Sequence, residues 1–123
     1  MPTADPTATF FEALAARGHE PLLGHVTGTL RLEVIDGETS EHWHVDVTKG
    51  AVKVSRRNLK ADAVVQVPRA LCDELTSGRE NAMAAMLRGA LVPEGDLRLV
   101  MLFARLFPGP PKRVLRSARR SAT

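Results

Sequence analysis

The sequence predicts an α+β domain in which a twisted, mainly antiparallel five-stranded sheet carries its helices on one face. Three observations lead there. Alternating runs separated by tight turns fill residues 27–67, which is the period of half-buried strands. Short helical patterns then bunch together after Pro68. The last of these, Leu97 to Phe107, is apolar in nine of its eleven residues and must be covered on most sides.

The elements follow in order. Residues 7–17 read as a helix, with Thr7 or Thr9 as cap, Phe10 and Leu14 on an apolar stripe, and Gly18 as stop. Residues 19–25, broken by Pro21 and Gly24, are loop. Leu30, Leu32 and Val34 alternate with Thr29, Arg31 and Glu33, giving a first strand with one dry face. Asp36-Gly37 signals a hairpin. Trp43, Val45 and Val47 then alternate with His42, His44 and Asp46 in a second strand. Lys49-Gly50 turns the chain into a third strand, Ala51 to Arg56, with Val52 and Val54 on one face. A valine-rich fourth strand spans Ala61 to Val67.

Pro68 suits the first turn of a helix, which Leu71, Cys72 and Leu75 continue until Ser77-Gly78. A second short helix from Asn81 to Arg88 presents Met83, Met86 and Leu87, and Gly89 stops it. Leu91 to Glu94 is a brief extended piece that Pro93 confines to a sheet edge. Asp96 is a natural N-cap for the final helix, which Pro108-Gly109-Pro110-Pro111 ends.

Composition bounds the function. A chain of 123 residues fits one domain, and a domain this small carries large voids with difficulty. One cysteine excludes an internal disulfide, no secretory pattern opens the chain, and we expect a cytoplasmic protein. The formal charge of +3 is uneven, because Lys112, Arg113, Arg116, Arg119 and Arg120 place +5 in the last twelve residues. The body, residues 1–111, is therefore mildly acidic at −2, which argues against specific nucleic-acid binding by the domain. The tail, residues 112–123, reads as solvated chain able to make weak contact with an anionic membrane surface.

Several segments in order resemble a known family. Ala61-Asp62-Ala63-Val64-Val65-Gln66-Val67 leads to a helix closing at Leu75-Thr76-Ser77-Gly78. The stretch Leu87-Arg88-Gly89-Ala90-Leu91-Val92-Pro93-Glu94-Gly95-Asp96 follows, and then the apolar helix. Upstream, Val45-Asp46-Val47-Thr48-Lys49-Gly50-Ala51-Val52 forms a strand-turn-strand. This pattern resembles the sterol-carrier-protein (type two) domain over about residues 8–108, most strongly after residue 45. Pro93 in the fifth strand and a basic tail in place of the targeting signal of eukaryotic members are the departures. An arginine- and alanine-rich composition points to a stand-alone bacterial member.

The resemblance implies an apolar tunnel between sheet and helices that takes fatty-acyl, sterol or similar ligands. The residues expected to line it are Trp43, Val45, Val52, Met83, Met86, Leu87, Leu99, Leu102, Phe103 and Leu106. The resemblance implies no catalytic residue and no cofactor, so the expected function is carriage of a hydrophobic small molecule such as a fatty-acyl, sterol-like, terpenoid or polyketide compound. Two other readings stay open. One is an accessory or cyclase-like enzyme of hydrophobic natural-product biosynthesis, for which Glu33, His44 and Asp46 are the nearest acid–base groups. The other buries the greasy helix in a homodimer without ligand; monomer and homodimer both fit the sequence. His42, His44 and Asp46 have a metal-ligand spacing, but no second ligand cluster joins them and they fall on the wetter strand face, so no metal is assigned.

Overall fold

The computed structural model describes residues 5–108. Helix α1, Pro6–Arg17, starts one residue earlier than expected, and neither threonine caps it. Asp5 is the cap, accepting from Ala8 N at 3.2 Å, and Pro6 occupies the first helical position, where no amide hydrogen is needed. Thr7 is instead buried inside the first turn, its hydroxyl donating to Asp73 Oδ1 at 2.9 Å. A single 3₁₀ turn, Pro21–Leu23, leads to β1, Thr27–Asp36.

Strand β2, Thr39–Thr48, returns antiparallel to β1 through a two-residue loop, Gly37-Glu38, with positive φ at Gly37. Strand β3, Ala51–Ser55, returns through Lys49-Gly50, both with positive φ, the arrangement that matches strand twist. Strand β4, Ala63–Pro68, then pairs with β1 and runs parallel to it. Helices α2, Arg69–Thr76, and α3, Ala82–Leu87, precede β5, Val92–Gly95, which pairs antiparallel with β4 at the edge where Pro93 is tolerated. Helix α4, Leu97–Ala104, closes the described chain.

The sheet order β3-β2-β1-β4-β5 is thus mixed, with one parallel pair among antiparallel ones. The cause is the crossover 56–62, which carries the chain from one side of the β1–β2 hairpin to the other. It passes over the face opposite the helices. Arg31 Nη1 donates to Leu59 O at 3.0 Å, and His44 Nε2 lies 3.3 Å from Lys60 O. His44 is therefore buried at 6% exposure, and the expectation of a wet face holds for Asp46 but fails there. On the other face Leu30, Leu32, Val34, Trp43, Val45, Val47, Val65 and Val67 form a continuous dry surface under the helices. Leu99, Val100 and Phe103 of α4 complete that core, with Phe11 and Leu14 of α1.

The final helix is shorter than its apolar run. Regular winding stops at Ala104, and the next residues tighten, with Leu106 N bonded to Phe103 O and Phe107 N to Ala104 O. That tightening lays the Phe107 ring on Phe10, centroids 5.0 Å apart.

The end of the crossover is clasped to the start of α4. Asp62 accepts from Thr29 N through Oδ2 at 2.9 Å, and its amide donates to Thr29 Oγ1 at 2.9 Å. Its carbonyl accepts from Asp96 N at 2.9 Å. Gly95 permits this: at φ +86°, a Cβ there would fall 2.3 Å from Asp62 O. Gly89 also has positive φ, but a Cβ there would meet nothing within 4 Å. Gly95→Ala is expected to lower unfolding free energy by more than about 2 kcal/mol and Gly89→Ala by about 1 kcal/mol. Denaturant titration of the two variants checks the difference, and equal losses would count against the clasp.

Candidate functional site

Between sheet and helices the packing of the described residues leaves a small cavity. Leu32, Val65 and Val67 form its floor. Cys72 and Leu75 of α2, Ala82 and Met86 of α3, and Leu91 wall it on one side. Val100, Phe103 and Ala104 of α4 and Phe107 close the other. Its volume is about 20 Å³, the room of a single water molecule, and its lining is almost wholly apolar. It is a seam rather than an open tunnel.

Of the ten residues expected at a ligand site, Met86 and Phe103 line this cavity. Trp43 lies beyond Phe11: the Phe11 ring stacks on Trp43 at 4.7 Å and on Phe103 at 6.2 Å, nearly parallel to both. Arg56 covers Trp43 from another side, its guanidinium carbon 4.1 Å from the ring centroid. Val45 and Val52 are core residues of β2 and β3, and Leu99 is buried on α4, its side chain close over Gly28. Leu106 lines a separate surface hollow with Phe10 and Pro6. Met83 and Leu102 lie on the outer side of α3 and α4, in a groove with Leu97, Arg98, Met101 and Arg105. Leu87 points away from the interior, 82% exposed.

Sequence reasoning missed the floor. Leu32, Val65 and Val67 carry the signal of strand residues on a dry face, but only the parallel β1–β4 pairing places them together beneath α4. The inward residues of β2 and β3 lie farther across the sheet.

The single titratable side chain in the cavity lining is Cys72. It has no solvent exposure, and Thr7 Oγ1 lies 3.3 Å from its sulfur. Burial pushes the thiol up to about 11, so it stays protonated and unreactive at neutral pH. Glu33, His44 and Asp46 project from the opposite face of the sheet, where Glu33 pairs with Arg31 at 2.8 Å. Among the described residues no three His, Cys, Asp or Glu side chains gather to hold a metal. No helix among them is long and apolar enough to cross a membrane. The basic tail from Lys112 lies outside the described residues.

The raised thiol pKa has a thermodynamic consequence. Between the ordinary thiol range near 9 and about 11, the unfolded chain ionises Cys72 and the folded chain does not. Stability is therefore expected to fall over that interval by about 2–3 kcal/mol beyond the fall in Cys72→Ala. Parallel denaturant titrations at pH 8 and at alkaline pH check this, and identical pH slopes in the two proteins would refute it.

The comparisons with known proteins agree with this architecture. The model of the SCP-2 sterol transfer family matches residues 10–108. Sterol carrier protein 2 like 2 from Aedes aegypti superposes with a TM-score of 0.63 at 22% identity, covering 81% of this chain and 94% of that one. The Aedes aegypti sterol carrier protein 2 in complex with palmitate gives 0.63 at 17% identity, covering 85% and 99%. A possible sterol carrier protein from Thermus thermophilus gives 0.57 at 21% identity, covering 84% and 76%. No curated protein matches. With the family pattern running through all five strands and the four helices, this chain belongs to the SCP-2 sterol transfer family.

Proposed function

We propose that the chain binds and carries a hydrophobic small molecule, of fatty-acyl, sterol-like, terpenoid or polyketide type, without catalysing a reaction on it. One observation carries this reading: the core has its packing defect where two short helices, α3 and α4, close over an apolar floor. The ligand makes its own space by displacing those helices. A standing empty cavity of about 300 Å³, the lower end of small-molecule sites, would cost about 7 kcal/mol. That is comparable to the whole stability of a small domain, so the ligand-free chain closes its seam. A sixteen-carbon chain leaving water gains on the order of 12 kcal/mol, enough to hold the seam open. Palmitate in the Aedes aegypti relative is a ligand of this chemical kind.

The position of the ionisable groups favours binding over a cyclase-like reaction. Glu33, His44 and Asp46 are separated from the seam by the sheet, and the Cys72 thiol is held protonated. In this reading residues 1–111 are the lipid-binding unit, in a cytoplasmic setting. The tail 112–123 adds a weak electrostatic contact with anionic membranes.

Trp43, two stacked rings from the cavity, makes a reporter for movement of Phe103. Palmitate is expected to raise the thermal midpoint and to change Trp43 emission. Ala104→Val, which overfills the seam of about 20 Å³, is expected to weaken palmitate binding at least tenfold while costing the free protein about 1–3 kcal/mol. Palmitate without effect on midpoint, emission or calorimetric heat would overturn the proposal.

A further inference from the structure

The wall that closes the seam has a second, outer side. On α3, Ala82, Ala85 and Met86 face inward, while Met83 and Leu87, four residues apart, share the outer face. On α4, Val100, Phe103 and Ala104 face inward, and Leu97 and Met101 face out with Arg98 and Arg105. The outer side is unusually apolar for a surface: Leu87 is 82% exposed, Leu97 51% and Met101 43%. Both charged side chains in the groove are arginines, and no acid lines it among the described residues.

We propose that this α3–α4 face docks on an anionic phospholipid bilayer, with Leu87, Leu97 and Met101 entering the headgroup boundary and Arg98 and Arg105 meeting lipid phosphates. Docking goes beyond ligand binding; only its use as the side of ligand exchange rests on the carriage reading above. The charge pattern selects the occupant. Apolar side chains flanked by cations match an anionic interface, where each basic residue strengthens binding about fivefold. A second copy of the chain fits poorly. Pairing this face with itself brings arginines against arginines, and the patch supplies well under the 20–30 residues a side that a stable protein interface uses. The placement also has a consequence: the bilayer touches the very helices that must move to open the seam, so a ligand passes between membrane and core across one helix layer.

Flotation of the full chain with phosphatidylcholine vesicles, with and without phosphatidylglycerol, tests the proposal. Leu87→Glu/Met101→Glu alters exposed positions and keeps residues 109–123, so it separates this face from the tail. Partitioning to the anionic vesicles is expected to fall at least tenfold in that variant, with unchanged circular dichroism and unchanged palmitate uptake from solution. Arg98→Gln/Arg105→Gln is expected to lower it on anionic vesicles alone, by about fivefold for each arginine. The proposal is overturned if the wild-type chain ignores anionic vesicles or the double glutamate variant partitions equally. It is equally overturned if light scattering shows the face consumed in a dimer that Leu87→Glu dissociates. Should palmitate bind neither protein while the vesicle difference persists, carriage fails and docking stands.

Discussion

The backbone contact between Asp62 and the Gly95-Asp96 turn governs the rest of the domain. Asp62 ends the crossover and opens β4; through its side chain it holds the start of β1, and through its carbonyl it holds the first residue of the α4 cap. Asp96 in turn accepts from Leu99 N, which fixes the direction in which α4 leaves the sheet. A helix of eight residues has little stability of its own. Its place over Leu32, Val65 and Val67 therefore depends on being launched from the right point, and the clasp supplies that point. The motif residues Asp62, Gly95 and Asp96 are thus structural: they position the wall of the seam and are not among its lining residues.

The same clasp explains how a rigid sheet and an adjustable wall coexist. Strands β1 to β4 are joined by full ladders and share a single dry face, so the floor is stiff. The wall is made of short helices joined by glycine turns at Gly89 and Gly95, pinned at one end and packed by side chains elsewhere. Methionine contributes on both sides of it, Met86 inward and Met83 and Met101 outward, and its unbranched side chain repacks at low cost. Size favours closure without ligand: an empty tunnel would take up a large share of the stability of a domain this small.

What the sequence revealed divides along the range of the interactions. Lys49-Gly50, Gly18, Asn81 and Asp96 are local signals, and each does in the structure what its chemistry requires. The inward valines of β4 are likewise plain from their alternation. Misreadings arise where a distant segment intervenes. Thr7 looks like a cap but is buried against Asp73, sixty-six positions away, which leaves Asp5 to cap α1. His44 alternates onto the polar face and is then covered by Lys60 and its neighbours. The parallel β1–β4 pair has no mark in either strand, because it is created by the path of the crossover. For that reason the apolar character of the last helix could be read from the sequence, while the strand residues packed beneath it could not.

The apolar last helix raised a question that its sequence left open, whether a greasy surface on all sides means core, ligand pocket or subunit seam. Its structure distributes the answer around the helix. Leu99, Val100 and Phe103 are core, and Ala104 meets the packing defect. Leu97 and Met101 stay about half exposed on the outer side. Burying all of these residues in a larger core would have been more stabilising, at about 25 cal/mol per Å² of apolar surface. A helix that forgoes that gain on one side and tolerates a void on the other is under-packed on both of its faces. Under-packing on two faces of one short helix lowers the cost of moving it, which is what the proposed carriage and docking ask of this element.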